Sequence, residues 1–302
     1  MNNSLIEIFC YVASKLKLNK LLLSRLVLNK MNTNFILLLY HTTSYKAFLE
    51  QMEYIKKNYS IISYDEFLYR FIKKDYPHEL TFIITFDDGL INFYQDAYPV
   101  LKKLTIPAIN FISTGHMLDR SPFWWEELND INKIGGKLNK SYYFNLPSHE
   151  RRKLLDDEGK KYNYIKKEGN MLTADQIIQL GKDSLITFGS HTVTHTNLAV
   201  EKEENIRYEL TESKKTLENI LKKEVAHLAY PNGDYKKETI PILKEVGYKS
   251  AVLAGYDSLV KKTDNVYELH RIGAPIYAGS KYWLETRFST FSYIQAHTRK
   301  EP

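Results

Sequence analysis

Two short motifs hold the residue types that metal-assisted chemistry needs. The first, Thr85-Phe86-Asp87-Asp88-Gly89, closes an apolar run over residues 80–84. Side chains alternate along a strand, so two neighbouring aspartates share a site only where the strand stops and the backbone turns. Gly89 supplies a residue able to make that turn. Taken alone, Asp-Asp-Gly is equally compatible with a polar turn. The second motif, His191-Thr192-Val193-Thr194-His195, again follows an apolar stretch, residues 185–190. If 191–195 is helical, histidines four apart meet on one face with Cβ atoms roughly 6 Å apart. That is close enough to hold one ion at Zn–N distances of about 2.0–2.1 Å. The two motifs together offer two imidazoles and a carboxylate. They leave positions for water and substrate, the open arrangement of a catalytic metal site, and the second aspartate is free to act as a base.

The elements that must position these motifs alternate between strand and helix. Continuous apolar runs at 35–40 and 80–86 are those of strands buried on both faces. Further strands are expected at 60–63, 108–113, 186–190, 226–230, 249–253 and 266–272. Helices are expected at 48–57, 64–73, 94–104, 203–222 and 237–247. This alternation predicts an α/β protein with a parallel sheet, in which ligands bind at the C-terminal strand ends. Residues 115–170 break the rhythm with Phe123-Trp124-Trp125-Glu126, a glycine pair and a charged helix-like stretch, and are read as an insertion between two core strands. Residues 1–30 read as an amphipathic helical segment with basic side chains. It is suited either to packing on the main domain or to peripheral contact with an anionic membrane. Residues 31–302 then form the main domain.

Bulk composition narrows the function classes. The 302 residues carry 42 basic and 36 acidic side chains, a net charge of +6. The excess is spread along the chain and accompanies no nucleic-acid-binding motif, so no nucleic-acid partner is expected. Cys10 is the single cysteine and excludes an intrachain disulfide. No secretory pattern or uninterrupted apolar run of spanning length is present, and the expected location is cytoplasmic, with membrane association through residues 1–30 left open. The oligomeric state is also left open.

Thr85-Phe86-Asp87-Asp88-Gly89, His191-Thr192-Val193-Thr194-His195 and Ala229-Tyr230-Pro231-Asn232-Gly233 together resemble the ordered motifs of the polysaccharide deacetylase family. This is the NodB-homology group, carbohydrate esterase family 4, and the similarity runs from about residue 35 to 272. The resemblance implies a distorted (β/α)7-type barrel and a divalent metal, usually Zn2+. It implies hydrolysis of N-acetyl groups on amino sugars of a polysaccharide, oligosaccharide or lipid-linked precursor, with an N-acetylated carbohydrate as the partner. By motif position, Asp87 resembles the catalytic base, and Asp88, His191 and His195 the metal ligands.

Leu38-Leu39-Tyr40-His41 resembles a motif of the branch that includes biofilm-polysaccharide deacetylases, where the histidine is the general acid. His41 is therefore the candidate acid, since an imidazole is a side chain able to protonate a departing amine. The chain departs from the family at its third motif, where many members carry an arginine before the proline. Arg271, in Leu269-His270-Arg271-Ile272-Gly273, is the candidate replacement, with His270 as a rival for the acid role. Strand alternation allows only one of His270 and Arg271 into the site. Tyr230 and Pro231, with backbone N–H groups near Tyr230 as oxyanion donors, and Trp124 and Trp125 of the insertion are candidate substrate contacts. The alternatives are a deformylase, an amidase on a lipid-linked sugar or non-sugar amide, and a carbohydrate-binding protein without activity. A glycoside hydrolase needs two carboxylates about 5–9.5 Å apart across the bond, which adjacent aspartates fit poorly.

Overall fold

β1 (Phe35–Tyr40) is buried at every position, as a strand covered on both faces must be. The computed structural model describes residues 34–254 and 260–274. The expected helical segment 1–30 and the end of the expected main domain lie outside the described residues. α1 (Tyr45–Asn58) follows β1, its first turn capped by the Ser44 side chain, which accepts from Ala47 N–H. Next come β2 (Ser60–Ile61), α2 (Tyr64–Ile72) and β3 (Thr81–Phe86). One π-type turn (Phe93–Ala97) runs into α3 (Tyr98–Leu104) and β4 (Ala108–Ile112). The stretch before β5 holds five helices: α4 (Thr114–Asp119), α5 (Trp124–Lys133), α6 (Lys140–Phe144), α7 (Ser148–Lys161) and α8 (Ala174–Leu180). The chain continues through β5 (Ile186–Ser190), α9 (Glu203–Leu221), β6 (His227–Ala229), α10 (Thr239–Val246), β7 (Ser250–Val252) and β8 (Ile272–Gly273).

All paired strands run parallel, in the order β7-β6-β5-β4-β3-β1-β8, with β2 beside β3 at its start. The strand expected over 266–272 is interrupted. Its first part bonds β7, with Leu253 N–H donating to Leu269 O at 2.8 Å, and only Ile272–Gly273 pairs with β1. This segment bridges the two edges of a curled sheet, which produces the distorted barrel.

Alternation sorts the strand side chains into two layers. Phe35, Leu37, Ile83, Ile109, Phe111, Ala229 and Val252 form the inner cluster. Ile36, Leu38, Phe82, Ile84, Phe86 and Ile112 face outward beneath Phe48, Val100, Ile177 and Leu217 from the helices. Each such side chain contributes about 1.5–3 kcal/mol on burial. That apolar core offsets the desolvation of the charged groups at the strand ends, which costs several kcal/mol per ion.

Most of the insertion between β4 and β5 leaves and rejoins the barrel at one point. Gly169 N–H donates to Arg120 O at 2.7 Å, so the two ends of the excursion meet. A Cβ on Gly169 would lie 2.4 Å from Ser121 O, so this approach admits only glycine. Within the excursion Trp124, Leu128, Ile131, Tyr143 and Leu155 build a small core of their own.

Candidate functional site

Strand alternation continues inward past Ile83 to Thr85 and Asp87 at the C-terminal end of β3. Arg271, entering from beside β8, meets both. Its Nη1 donates to Asp87 Oδ1 at 2.7 Å and its Nη2 to Asp87 Oδ2 at 2.6 Å. Nη1 also lies 3.1 Å from Thr85 Oγ1, and Nε donates to Leu253 O at 2.9 Å. Both partners are buried, with side chains 0% and 1% exposed. Burial drives the Asp87 carboxyl upward, but the Arg271 guanidinium overrides it and keeps Asp87 below the usual carboxylate range. His270 takes the other direction and bonds Asp264 Oδ2 through Nδ1 at 3.0 Å, so of the neighbouring pair only Arg271 reaches the strand ends.

The backbone turns immediately after Asp87. Asp88 and Gly89 both have left-handed φ, 74° and 77°. For Asp88 this conformation is costly, and it brings its carboxylate round to the same rim. Asp88 Oδ1 lies 3.5 Å from His191 Nε2 and 3.4 Å from His195 Nε2. One ligand atom from each of the three residues falls within 4.8 Å of the others, and all three are buried.

Residues 191–195 are not helical, so the condition under which a spacing of four would bring the two histidines together is not met. The segment is an irregular loop with left-handed Thr192 (φ 64°) and His195 (φ 49°). Other parts of the chain fix its shape. Val193 N–H and Thr194 N–H donate to Glu209 Oε2 at 2.7 and 2.9 Å, and the Thr194 hydroxyl donates to Glu209 Oε1 at 2.6 Å. Thr114 and Gly115 N–H groups hold the carbonyls of Thr192 and Val193 at 3.0 and 2.9 Å. The histidines therefore converge through tertiary bonds and not through helical spacing.

The chemistry of the three side chains suits a cation. A carbonyl only accepts, so the 2.8 Å contact from His191 Nδ1 to Ala229 O places the proton on Nδ1 and frees the Nε2 lone pair toward Asp88. Burial pushes His191 down to about 4, which keeps it neutral. Asp88 Oδ1 is buried with no hydrogen-bond partner among the described residues. Two ligands held tetrahedrally at about 2.0–2.2 Å from one ion are about 3.4 Å apart, and the carboxylate–imidazole distances of 3.4 and 3.5 Å match that separation. The residues present fit a divalent metal.

Around the three, His41 sits partly buried at the end of β1, close enough for its charge to act on both Asp87 and Asp88. Trp125 stacks on Phe123 at 4.5 Å and 5° and turns toward the His195 ring at 4.8 Å. Trp124 instead belongs to the insertion's own core and is 6% exposed. Tyr230 also differs from expectation as a substrate contact. It is fully buried, its hydroxyl donates to Tyr267 O at 3.0 Å, and its N–H is already given to Val252 O, so it offers no oxyanion donor. Pro231 is buried in a single 3-10 turn beside it.

Glu209 is a residue that motif spacing does not single out. It occupies the buried stripe of α9 with Ile206, Leu210, Ser213 and Leu217. A carboxylate on an apolar helix face is a readable signal of a buried polar partner.

The family model for polysaccharide deacetylases matches residues 74–251, more than half of the chain. The poly-β-1,6-N-acetyl-D-glucosamine N-deacetylase of Staphylococcus aureus is 26% identical over 241 residues, covering 77% of this chain and 67% of that protein. Among solved structures, IcaB from Ammonifex degensii aligns with a TM-score of 0.61 at 17% identity, over 87% of this chain and 98% of that one. The Streptococcus pyogenes deacetylase PplD, solved with acetate, aligns with a TM-score of 0.60 at 21% identity, over 83% and 97%.

Proposed function

Starting from the premise that this chain belongs to the polysaccharide deacetylase family, we propose that it is a metal-dependent hydrolase releasing acetate from N-acetylated amino sugars in a glycan. The observation that carries this reading is the convergence of Asp88, His191 and His195 beside an aspartate clamped by a buried arginine. Asp88, His191 and His195 hold the ion, which when bound polarises the acyl carbonyl and acidifies water. Asp87, kept ionised by Arg271, takes the proton of the attacking water. The Arg271 fork grips both Asp87 oxygens and fixes the carboxylate plane. His41, on the same rim, donates a proton to the departing nitrogen and leaves a free amine. The Phe123–Trp125 stack offers an apolar face to the sugar ring beside His195. The Staphylococcus aureus relative acts, by its name, on a β-1,6-linked N-acetylglucosamine polymer, which makes such oligomers the first substrates to try.

The test pairs metal analysis with acetate release from N-acetylglucosamine oligomers. Asp87→Asn abolishes turnover and retains the metal, whereas Asp88→Asn and His195→Ala lower the metal content. Full occupancy in both of the latter overturns the ligand assignment. Release of formate from N-formylated substrates, without acetate from acetylated ones, overturns the choice of acyl group.

A further inference from the structure

A cavity of about 390 Å³ lies between the insertion and the histidine loop, and its wall includes Trp124, Arg151, Lys166, Val193, Thr194 and Tyr208. None of Asp87, Asp88, His191 and His195 lines it. Its most unusual wall group is Arg151. This side chain is 4% exposed, yet among the described residues no carboxylate lies within ion-pair distance of it. Of its five N–H donors, one makes a single long bond, Nη1 to Leu146 O at 3.4 Å, and the guanidinium rests 5.0 Å from the Trp124 ring centroid.

Nearby carboxylates are already engaged. Glu209 is saturated by Val193 and Thr194. Glu201 takes Ser148 N–H at 2.6 Å, the Thr196 hydroxyl at 2.5 Å and the Asn205 amide at 3.0 Å. Asp119, also in the wall, accepts from Ser121 N–H at 2.9 Å. The adjacent Arg152 shows the contrast, spending its donors on Glu127 at 2.6 Å and Asp156 at 2.7 Å. Glu201 and Glu209 act on Arg151 through space, but neither reaches its guanidinium, so most of its N–H donors lack a protein acceptor among the described residues and a ligand oxyanion can take them. Burial brings Arg151 down to about 10.

We propose that this cavity is a binding site for a small organic anion, with a phosphate or carboxylate on Arg151, assisted by Lys166, and the body of the ligand against Trp124 and Tyr208. The volume admits a monosaccharide-sized body. A planar guanidinium with free donors suits either oxyanion, and Lys166, at the exposed mouth, adds charge without fixed geometry. Val193 and Thr194 lie in the wall, so an occupant also touches the loop that carries both histidines.

Calorimetric titration of the full-length protein with glucosamine 6-phosphate, glucuronate, inorganic phosphate and neutral N-acetylglucosamine tests this. The expected result is saturable binding of glucosamine 6-phosphate or glucuronate, identifying which oxyanion is preferred, while any affinity for the neutral sugar is the same in wild type and Arg151→Gln. Arg151→Gln weakens the anion tenfold or more. Lys166→Gln weakens it about threefold at low salt and little at high salt, as an exposed charge does. No saturable anion binding up to about 10 mM, or equal affinity in wild type and Arg151→Gln, overturns the proposal. If Arg151→Gln fails to fold by circular dichroism, Lys166→Gln decides, and unchanged affinity in that variant at low salt is the overturning result. The readout is binding and not turnover, so failure here and failure of the deacetylase reading are separate outcomes.

Discussion

Replacing Arg271 by Met removes the only side chain bonded to both Asp87 oxygens among the described residues. Two opposite charges about 4 Å apart, centre to centre, attract by about 4 kcal/mol at an effective dielectric of about 20. Removing one member of a buried pair of this kind costs about 3–5 kcal/mol, because the remaining charge is left without compensation. Both side chains are essentially fully buried, which places this pair in that class and not among surface pairs worth under about 1 kcal/mol. Arg271→Met is therefore expected to lose about 3–5 kcal/mol, and Asp87→Leu a similar amount. The double variant replaces a charge pair with apolar volume and returns most of the loss; a residual loss of about 1 kcal/mol corresponds to a coupling of about 5–9 kcal/mol. Urea unfolding followed by circular dichroism, in EDTA so that metal binding adds nothing to stability, measures all four corners of the cycle. Arg271→Lys keeps the charge and loses the fork, so it is expected to fall between wild type and Arg271→Met. Additive single losses, or a cost below about 1 kcal/mol for Arg271→Met, would refute the claim that this pair organises the strand ends.

Two further outcomes concern the surroundings of the site. Glu209→Ala strips the histidine loop of the acceptor for three donors, and metal affinity is expected to fall about 10–100-fold, as for other residues that orient ligands; chelator competition reads this, and an unchanged affinity contradicts it. His116 is pushed down to about 4, chiefly by burial, against 6.5 in the unfolded chain. Its contribution is thus complete above pH 6.5 and drains away as pH falls toward 4, a loss of about 2–3 kcal/mol that His116→Gln should flatten in urea titrations at pH 7 and 4.5.

Legibility of the sequence varied with the range of the forces involved. β1 and β5 occupy the expected residues, because a run covered on both faces is a local property. The 266–272 strand is not regular, since its bonding is divided between two edges of the sheet that only the closed fold brings near. The rim position of the Asp-Asp-Gly turn is readable from the break in strand alternation, and Asp88 shows the positive φ that such a turn demands. Two imidazoles four apart are equally readable, but the reason they meet is not. Helical spacing is replaced by a loop held through Glu209, Thr114 and Gly115, whose involvement no local pattern reports. Arg271 and Asp87 stand 184 positions apart, so their fork is invisible to spacing. Tyr230 shows the opposite case: an aromatic ring beside a motif can be packing, and here it is fully buried with its hydroxyl and N–H already bonded.

The bond from Gly169 N–H to Arg120 O and the Arg120–Glu168 ion pair close the neck of the excursion, which leaves and returns at one place. A short turn of suitable span would join the same two points without shifting the strands on either side. Residues that carry the ion-binding groups lie outside that excursion, while Trp125 and Arg151 lie inside it. Grafting a foreign excursion at this neck keeps Asp87, Asp88, His191 and His195 in the chain and exchanges the Phe123–Trp125 wall that packs on His195.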